Sequence, residues 1–327
     1  MNIHLMTYKR LTIVSMIILL ISVVQFTSYG QGARKIYWSE DGKIRRANLD
    51  GSNVENVLTN DNWIRDIALD IQNHKIYWIG GAHSIKRANL DGTDVETIYN
   101  PQALNADKVE RIHSPVTITL DTSAEKIYWG NMWGPWGMTR ADLDGTNIED
   151  IIILPVNGGV FNIRVDAEDI QLDVKEGKIY FQDSLNDNIA RVDMDGSNYE
   201  NLPLTTPYHD KIALDLSNNR IFRTTIIFNE IRSYFLDGTN RDIILTNLNY
   251  PIHIALDVHS QIIYWSERNH ETEESTIRTV NFDGTNATDL LTGLNYVYGI
   301  ALDTEGVYGV SPEKNQITTT WGNIKAE

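Results

Sequence analysis

A three-part mark recurs along this chain of 327 residues at intervals of roughly forty to fifty residues, and it limits the possible folds more than any single residue does. The first part reads I-x-L-D, at Ile67–Asp70, Ile118–Asp121, Ile170–Asp173, Ile212–Asp215, Ile254–Asp257 and Ile300–Asp303. The second is an aromatic pair: Tyr37-Trp38 opens the series, and Tyr77-Trp78, Tyr128-Trp129, Tyr180-Phe181 and Tyr264-Trp265 continue it, with Phe222-Arg223 a poor copy. The third is an Asp-Gly turn at Asp50, Asp91, Asp144, Asp195, Asp237 and Asp283. A unit this short cannot bury its own apolar face. Self-similarity at this period therefore means a propeller, a solenoid or an array.

Residues 66–99 read as four strands. Ile67-Ala68-Leu69 is a short apolar run, as expected of a strand buried on both faces. Asn73-His74 turns into Lys75–Trp78, which is β-branched and aromatic. The alternating run Ile85–Leu90 meets Asp91-Gly92 and then Val95–Ile98, and Asp-Gly between alternating runs is a hairpin signal because Gly accepts φ > 0. Four antiparallel strands make one propeller blade. In that arrangement Trp38, Trp78, Trp129 and Trp265 are expected to fill the wedges between blades. The Asp that ends each first strand is expected to accept backbone N–H bonds in its turn. Arg46, Arg87, Arg140 and Arg191, four residues before each turn Asp, are expected to pair with those strand-ending carboxylates.

The sequence Ile/Leu-Ala-x-Asp, then Tyr-Trp-Ser-Glu, then Asn-Leu-Asp-Gly-Ser/Thr-Asn resembles the YWTD (class B) repeats of the low-density lipoprotein receptor family over about residues 35–303. The resemblance implies a six-bladed propeller, usually a protein-binding module followed by an EGF-like module. With no Cys in this chain an EGF module cannot form within it, so a stand-alone member is expected. Counting agrees with six blades. The first unit starts at its second strand, Lys35–Trp38, and the last I-A-L-D comes at the other end of the chain, where it can complete the first blade without leaving an edge. Val307–Val310 and Ile317–Trp321 also look like strands and leave a seventh blade as the alternative.

The N-terminus runs from Lys9 and Arg10 through an apolar stretch, Leu11–Val24, to Ser28 and Gly30, which is the order of a secretory signal peptide. Residues 1–30 are expected to be removed, with an uncleaved anchor as the alternative, and residues 31–327 to form the propeller. No membrane insertion is expected after cleavage, and the location is secreted, periplasmic or extracellular. Absence of Cys removes disulfides and thiolate metal sites. The net charge of −16 disfavours nucleic acid and anionic membrane.

In an up-and-down blade, fourth-to-first and second-to-third connections share one face. That face collects the irregular insertions, Tyr99–His113, Leu154–Asp169, Gly130–Met138 and Ser266–Thr276, whereas the turns opposite are short and uniform. Variable loops on a rigid face read as a recognition surface. On it, Trp133 and Trp136 lie outside the repeat, and Glu271, Glu273 and Glu274 form an acidic tip beside His270. Trp63, His113, Tyr208, Tyr250, Tyr296 and Tyr298 precede innermost strands, positions that contribute to ligand binding in the resembled family. The residues before each I-x-L-D, namely Asp66, Thr117, Asp169, Lys211, His253 and Gly299, should ring the axis. The resembled family usually has Gly there.

These readings converge on a recognition module that engages a protein or glycan through the insertion-rich face, with no catalytic residue nominated and no cofactor expected. Two alternatives stand beside it. One is a hydrolase or lactonase with a cation such as calcium in the central channel, held by the axial residues. The other is a glycan or small-molecule sensor built on Trp133 and Trp136. No Gly-x-Ser-x-Gly turn, helical His pair or Gly-rich phosphate loop supports catalysis.

Overall fold

The computed structural model describes residues 34–102, 114–131, 137–153, 167–184, 186–205 and 210–303. The expected signal peptide and the strand-like segments after residue 303 lie outside these. Blade 1 begins with β1 (Lys35–Glu40), β2 (Lys43–Asn48) and β3 (Glu55–Leu58). Blade 2 is β4 (Asp66–Asp70), β5 (Lys75–Ile79), β6 (Ile85–Asn89) and β7 (Glu96–Tyr99). Blade 3 is β8 (Pro115–Asp121), β9 (Lys126–Asn131), β10 (Gly137–Asp142) and β11 (Glu149–Ile153). Blade 4 is β12 (Ala167–Asp173), β13 (Lys178–Asp183), β14 (Asn188–Asp193) and β15 (Glu200–Thr205). Blade 5 is β16 (Ile212–Asp215), β17 (Arg220–Thr225), β18 (Glu230–Phe235) and β19 (Asp242–Leu245). Blade 6 is β20 (Pro251–Asp257), β21 (Ile262–Arg268), β22 (Ser275–Asn281) and β23 (Thr288–Leu294). The last strand, β24 (Val297–Leu302), pairs antiparallel with β1, in register Ile36 to Leu302 and Trp38 to Ile300, and so completes blade 1. The described residues thus form an all-β propeller of six four-stranded blades, closed in the way the count of repeats required.

The wedge assignment holds. Trp38, Trp78, Trp129 and Trp265 are almost fully buried, each packed on the preceding blade. Trp129, for example, lies against Tyr77, Ile79 and Tyr99. Each burial contributes on the order of 1.5–3 kcal/mol. Phe181 fills the slot in blade 4. In blade 5 the slot holds Arg223, also buried. Cations flank three of the four indoles: Arg45 and Arg278 lie over Trp38 and Trp265 at 5.4 and 5.3 Å, and Lys86 is the cross-strand partner of Trp78.

The turns explain the other two marks. Asp70, Asp121, Asp173, Asp215 and Asp257 each accept a backbone N–H three residues on, at 3.0–3.1 Å. In each Asp-Gly turn the Asp Oδ1 accepts both the N–H and the hydroxyl of the Ser or Thr two residues later, as Asp91 does from Thr93 at 3.0 and 2.6 Å. Gly92 sits at φ +84°, and a Cβ there would lie 1.8 Å from the Val57 carbonyl of the preceding blade. Glycine is needed twice over, for the backbone conformation and for the close approach between blades.

The arginine expectation requires correction. Arg46, Arg87, Arg140 and Arg191 pair not with the strand-ending Asp residues but with Glu55, Glu96, Glu149 and Glu200 on the neighbouring outer strand. Three of them also donate to a carbonyl of the next blade, Leu90, Leu143 or Met194, at 2.8–3.0 Å. Cross-strand register, not distance along the chain, sets the partner.

Candidate functional site

The loop face carries a ladder, a row of three aromatic rings with a cation at each end, drawn from three blades. Trp63, on the approach to β4, is 49% exposed and meets the Tyr298 ring edge-on at 5.6 Å. Tyr298 in β24 lies 4.0 Å from Tyr296, centroid to centroid. A guanidinium covers each end, Arg65 over Trp63 at 5.7 Å and Arg268 over Tyr296 at 4.4 Å. Cations over aromatic faces contribute roughly 0.5–1 kcal/mol each at exposed sites and hold the rings in place. Nearby, Tyr250 meets His270 edge-on at 4.4 Å, and Arg268 also pairs with Glu273 of the acidic tip. Burial pushes the Tyr296 hydroxyl up, helped by Tyr298 and Tyr250, so it stays a neutral donor at physiological pH. Trp63 and Tyr250 adopt φ of +47° and +54°, the left-handed region that bulky residues avoid. Such strain is retained where the surroundings over-determine it, typically at functional surfaces.

The axial residues converge beside this ladder. Asp66, Asp169 and His253 line a cavity of about 250 Å³ along the axis. Both carboxylates bridge blades: Asp66 Oδ2 accepts the Ile118 N–H at 3.0 Å, and Asp169 Oδ2 accepts the Ile212 N–H at 2.6 Å. The His253 Nε2 is 3.6 Å from Asp66, and the Lys211 Nζ is 3.8 Å from Asp169 while donating to the Glu168 carbonyl. Thr117 donates to Asp169 at 3.4 Å. Gly299 leaves room for Asp66, whose Cα a Cβ at 299 would crowd at 3.2 Å.

The same cations act on both acids, but burial outweighs the favourable contacts at only one of them. Burial opposes ionisation of Asp66, but the bond from His253 and the charges of Lys211 and His253 outweigh it and hold this carboxyl below its ordinary range. For Asp169, burial dominates over Lys211 and His253 and pushes the carboxyl up. Among the described residues, no cluster of three or more His, Asp or Glu side chains is placed to hold a metal ion. The ring combines inter-blade bracing with a polar lining of the axial cavity.

Of the residues singled out from sequence, the structure brings Trp63, Tyr296 and Tyr298 into the ladder, sets Tyr250 beside it, and gathers Asp66, Thr117, Asp169, Lys211, His253 and Gly299 at the axis. His113, Trp133, Trp136 and Tyr208 lie outside the described residues. Sequence reasoning missed Arg65 and Arg268, whose role appears only when blades 2, 1 and 6 meet.

No family model matches the chain. A human low-density lipoprotein receptor-related protein 5-like protein is 26% identical over 176 residues, 51% of this chain and 61% of that protein, so the chain matches less than two thirds of that relative's length. A chain of a nidogen–laminin complex superposes with a TM-score of 0.65 at 20% identity, covering 83% of this chain and 98% of that one. Together with the repeated marks, these likenesses support a propeller of low-density lipoprotein receptor class B repeats. TolB from Acinetobacter baumannii has a TM-score of 0.64 at 13% identity over 84% of this chain and 67% of its own. At these identities both solved structures share with the YWTD propeller its fold. No helix among the described residues is long and apolar enough to cross a membrane.

Proposed function

We propose that this YWTD propeller is an extracellular recognition module that binds a protein partner through its loop face, with Trp63, Tyr298 and Tyr296 as the contact platform. The ladder is the observation that carries this reading. Aromatic side chains flanked by guanidiniums, with Trp63 half exposed and Tyr296 and Tyr298 partly so, lose little entropy on contact and suit the anchor role that Trp, Tyr and Arg take in interfaces. The related solved fold comes from a nidogen–laminin complex, in keeping with a propeller used for protein contact. Export is supported by the charge, apolar and small-residue order of residues 9–30.

The test is capture on the immobilised chain of proteins from the extracellular fraction of the source cells, read by mass spectrometry. Trp63→Ala with Tyr298→Ala should remove the specifically retained partner, whereas Asn73→Ala on the opposite face should keep it. Melting curves of both variants should show that the fold survives. Equal capture by both variants would refute the loop-face assignment.

A further inference from the structure

Blade 5 departs from the repeat where it meets blade 4. Arg223 replaces the wedge aromatic and is buried, its guanidinium 3.4 Å from Asp210, donating to the Tyr234 hydroxyl at 2.9 Å and lying 5.0 Å from that ring. Its cross-strand partner is Arg232, which is also buried, pairs with Glu230 and lies 4.4 Å from the Phe228 ring. The turn glycine differs as well. At the other five junctions a Cβ on that glycine would meet a backbone carbonyl of the preceding blade, but at Gly238 it would meet the Pro203 ring.

These changes leave a cavity of about 460 Å³ between the two blades, within the size range of small-ligand sites. Arg223, Arg232 and Arg241 line it together with Phe228, Tyr234 and Leu204. Among the described residues no carboxylate lines it, although the chain carries a net charge of −16. Asp210 and Glu230 neutralise the first two guanidiniums from behind. Arg241 is exposed and has no hydrogen bond or ion pair among the described residues. Phe228, 49% exposed, offers an aromatic surface at the same crevice. The result is one uncompensated planar cation beside apolar and aromatic walls, an arrangement a decayed repeat would not need.

We propose that the cleft between blades 4 and 5 binds a small organic monoanion, a carboxylate with an aromatic or branched apolar body. The carboxylate takes the free fork of Arg241 in bidentate fashion, and the body lies against Phe228, Leu204 and Tyr234. A phosphate dianion fits less well, because the crevice offers one net positive charge and mostly apolar wall. This site is separate from the loop-face ladder and does not depend on its role.

Titration calorimetry on the full chain at low salt, with 4-phenylbutyrate as probe, tests the proposal. The probe should bind saturably, and the neutral 4-phenylbutanol should bind about tenfold more weakly, as expected for loss of one charge-assisted pair. Arg241→Gln and Phe228→Ala, both at exposed positions, should each weaken phenylbutyrate about tenfold with melting temperatures unchanged, whereas Trp63→Ala should bind it normally. Equal binding of the alcohol, undiminished binding by Arg241→Gln, or no saturation would overturn the proposal. A tetra-glutamate peptide is titrated in parallel. Its binding at this site without phenylbutyrate binding would assign the cleft to acidic protein segments and would also overturn the small-anion reading.

Discussion

Replacing Arg223 with Met removes a buried cation from the side of Asp210. The Arg223 and Asp210 side chains are 2% and 1% exposed and 3.4 Å apart, so neither ion keeps its water. At an effective dielectric near 20 their attraction is about 5 kcal/mol, and it offsets desolvation of several kcal/mol per ion. Removing the cation cancels the attraction and leaves the cost on Asp210, which predicts a loss of about 3–5 kcal/mol. The lost bond to the Tyr234 hydroxyl adds to it. For a domain of this size that corresponds to a fall in Tm of roughly 6–20 °C. Converting both partners, Arg223→Met with Asp210→Leu, should recover most of the loss, because an apolar pair of similar volume is often neutral relative to a buried ion pair. Urea unfolding followed by circular dichroism, with the four members of the double-mutant cycle at pH 7, measures each term. A single-variant cost below about 1 kcal/mol, or a double variant as unstable as the single one, would refute the view that this wedge is held by the ion pair.

Trp129→Ala should cost about 3–5 kcal/mol in the same assay, since the indole is buried against Tyr99 at 5.3 Å; a mild effect would contradict its wedge role. The axial acids should respond to pH with opposite signs. The Asp66 carboxyl is held low, so its contribution is present above the ordinary carboxylate range near 4 and is lost as pH falls through its folded value; Asp66→Asn should lower Tm at pH 7, by an amount that shrinks as pH falls through that value. The Asp169 carboxyl is pushed up, so its contribution is present below the unfolded value and is lost as pH rises through the folded one. Asp169→Asn should therefore raise Tm at neutral pH and leave it unchanged in acid, and matching profiles for the two variants would exclude this division.

What could be read in advance was what the chain encodes locally. Gly92 must follow Asp91 because a tight turn at φ +84° demands it, and that demand is visible in two adjacent letters. Trp78 and Trp129 betray themselves by recurring, with Trp38 and Trp265, at one place in four of the six units. The missing first strand at one end and the extra I-A-L-D at the other announce their pairing. Arg46 was misassigned for a related reason. Its partner, Glu55, is chosen by cross-strand register past a bulge between Ile44 and Arg45, which no count along the chain supplies.

By itself, then, the sequence determined the blade and its four strands and pointed to six blades, because short-range backbone chemistry and periodic burial specify them. Only the tertiary structure decided which groups meet. Arg65 and Trp63 come from the approach to blade 2, Tyr296 and Tyr298 from the last strand and the loop before it, and Arg268 from blade 6, and they form one ladder only after the ring closes. His253 reaches Asp66 across an interval of nearly two hundred residues. Arg223 looked like a decayed aromatic until the packing of blade 5 on blade 4 supplied Asp210, Tyr234 and the cleft beside them. Side chains of that kind carry no local signature, since their energies arise from neighbours that the chain brings together only on folding.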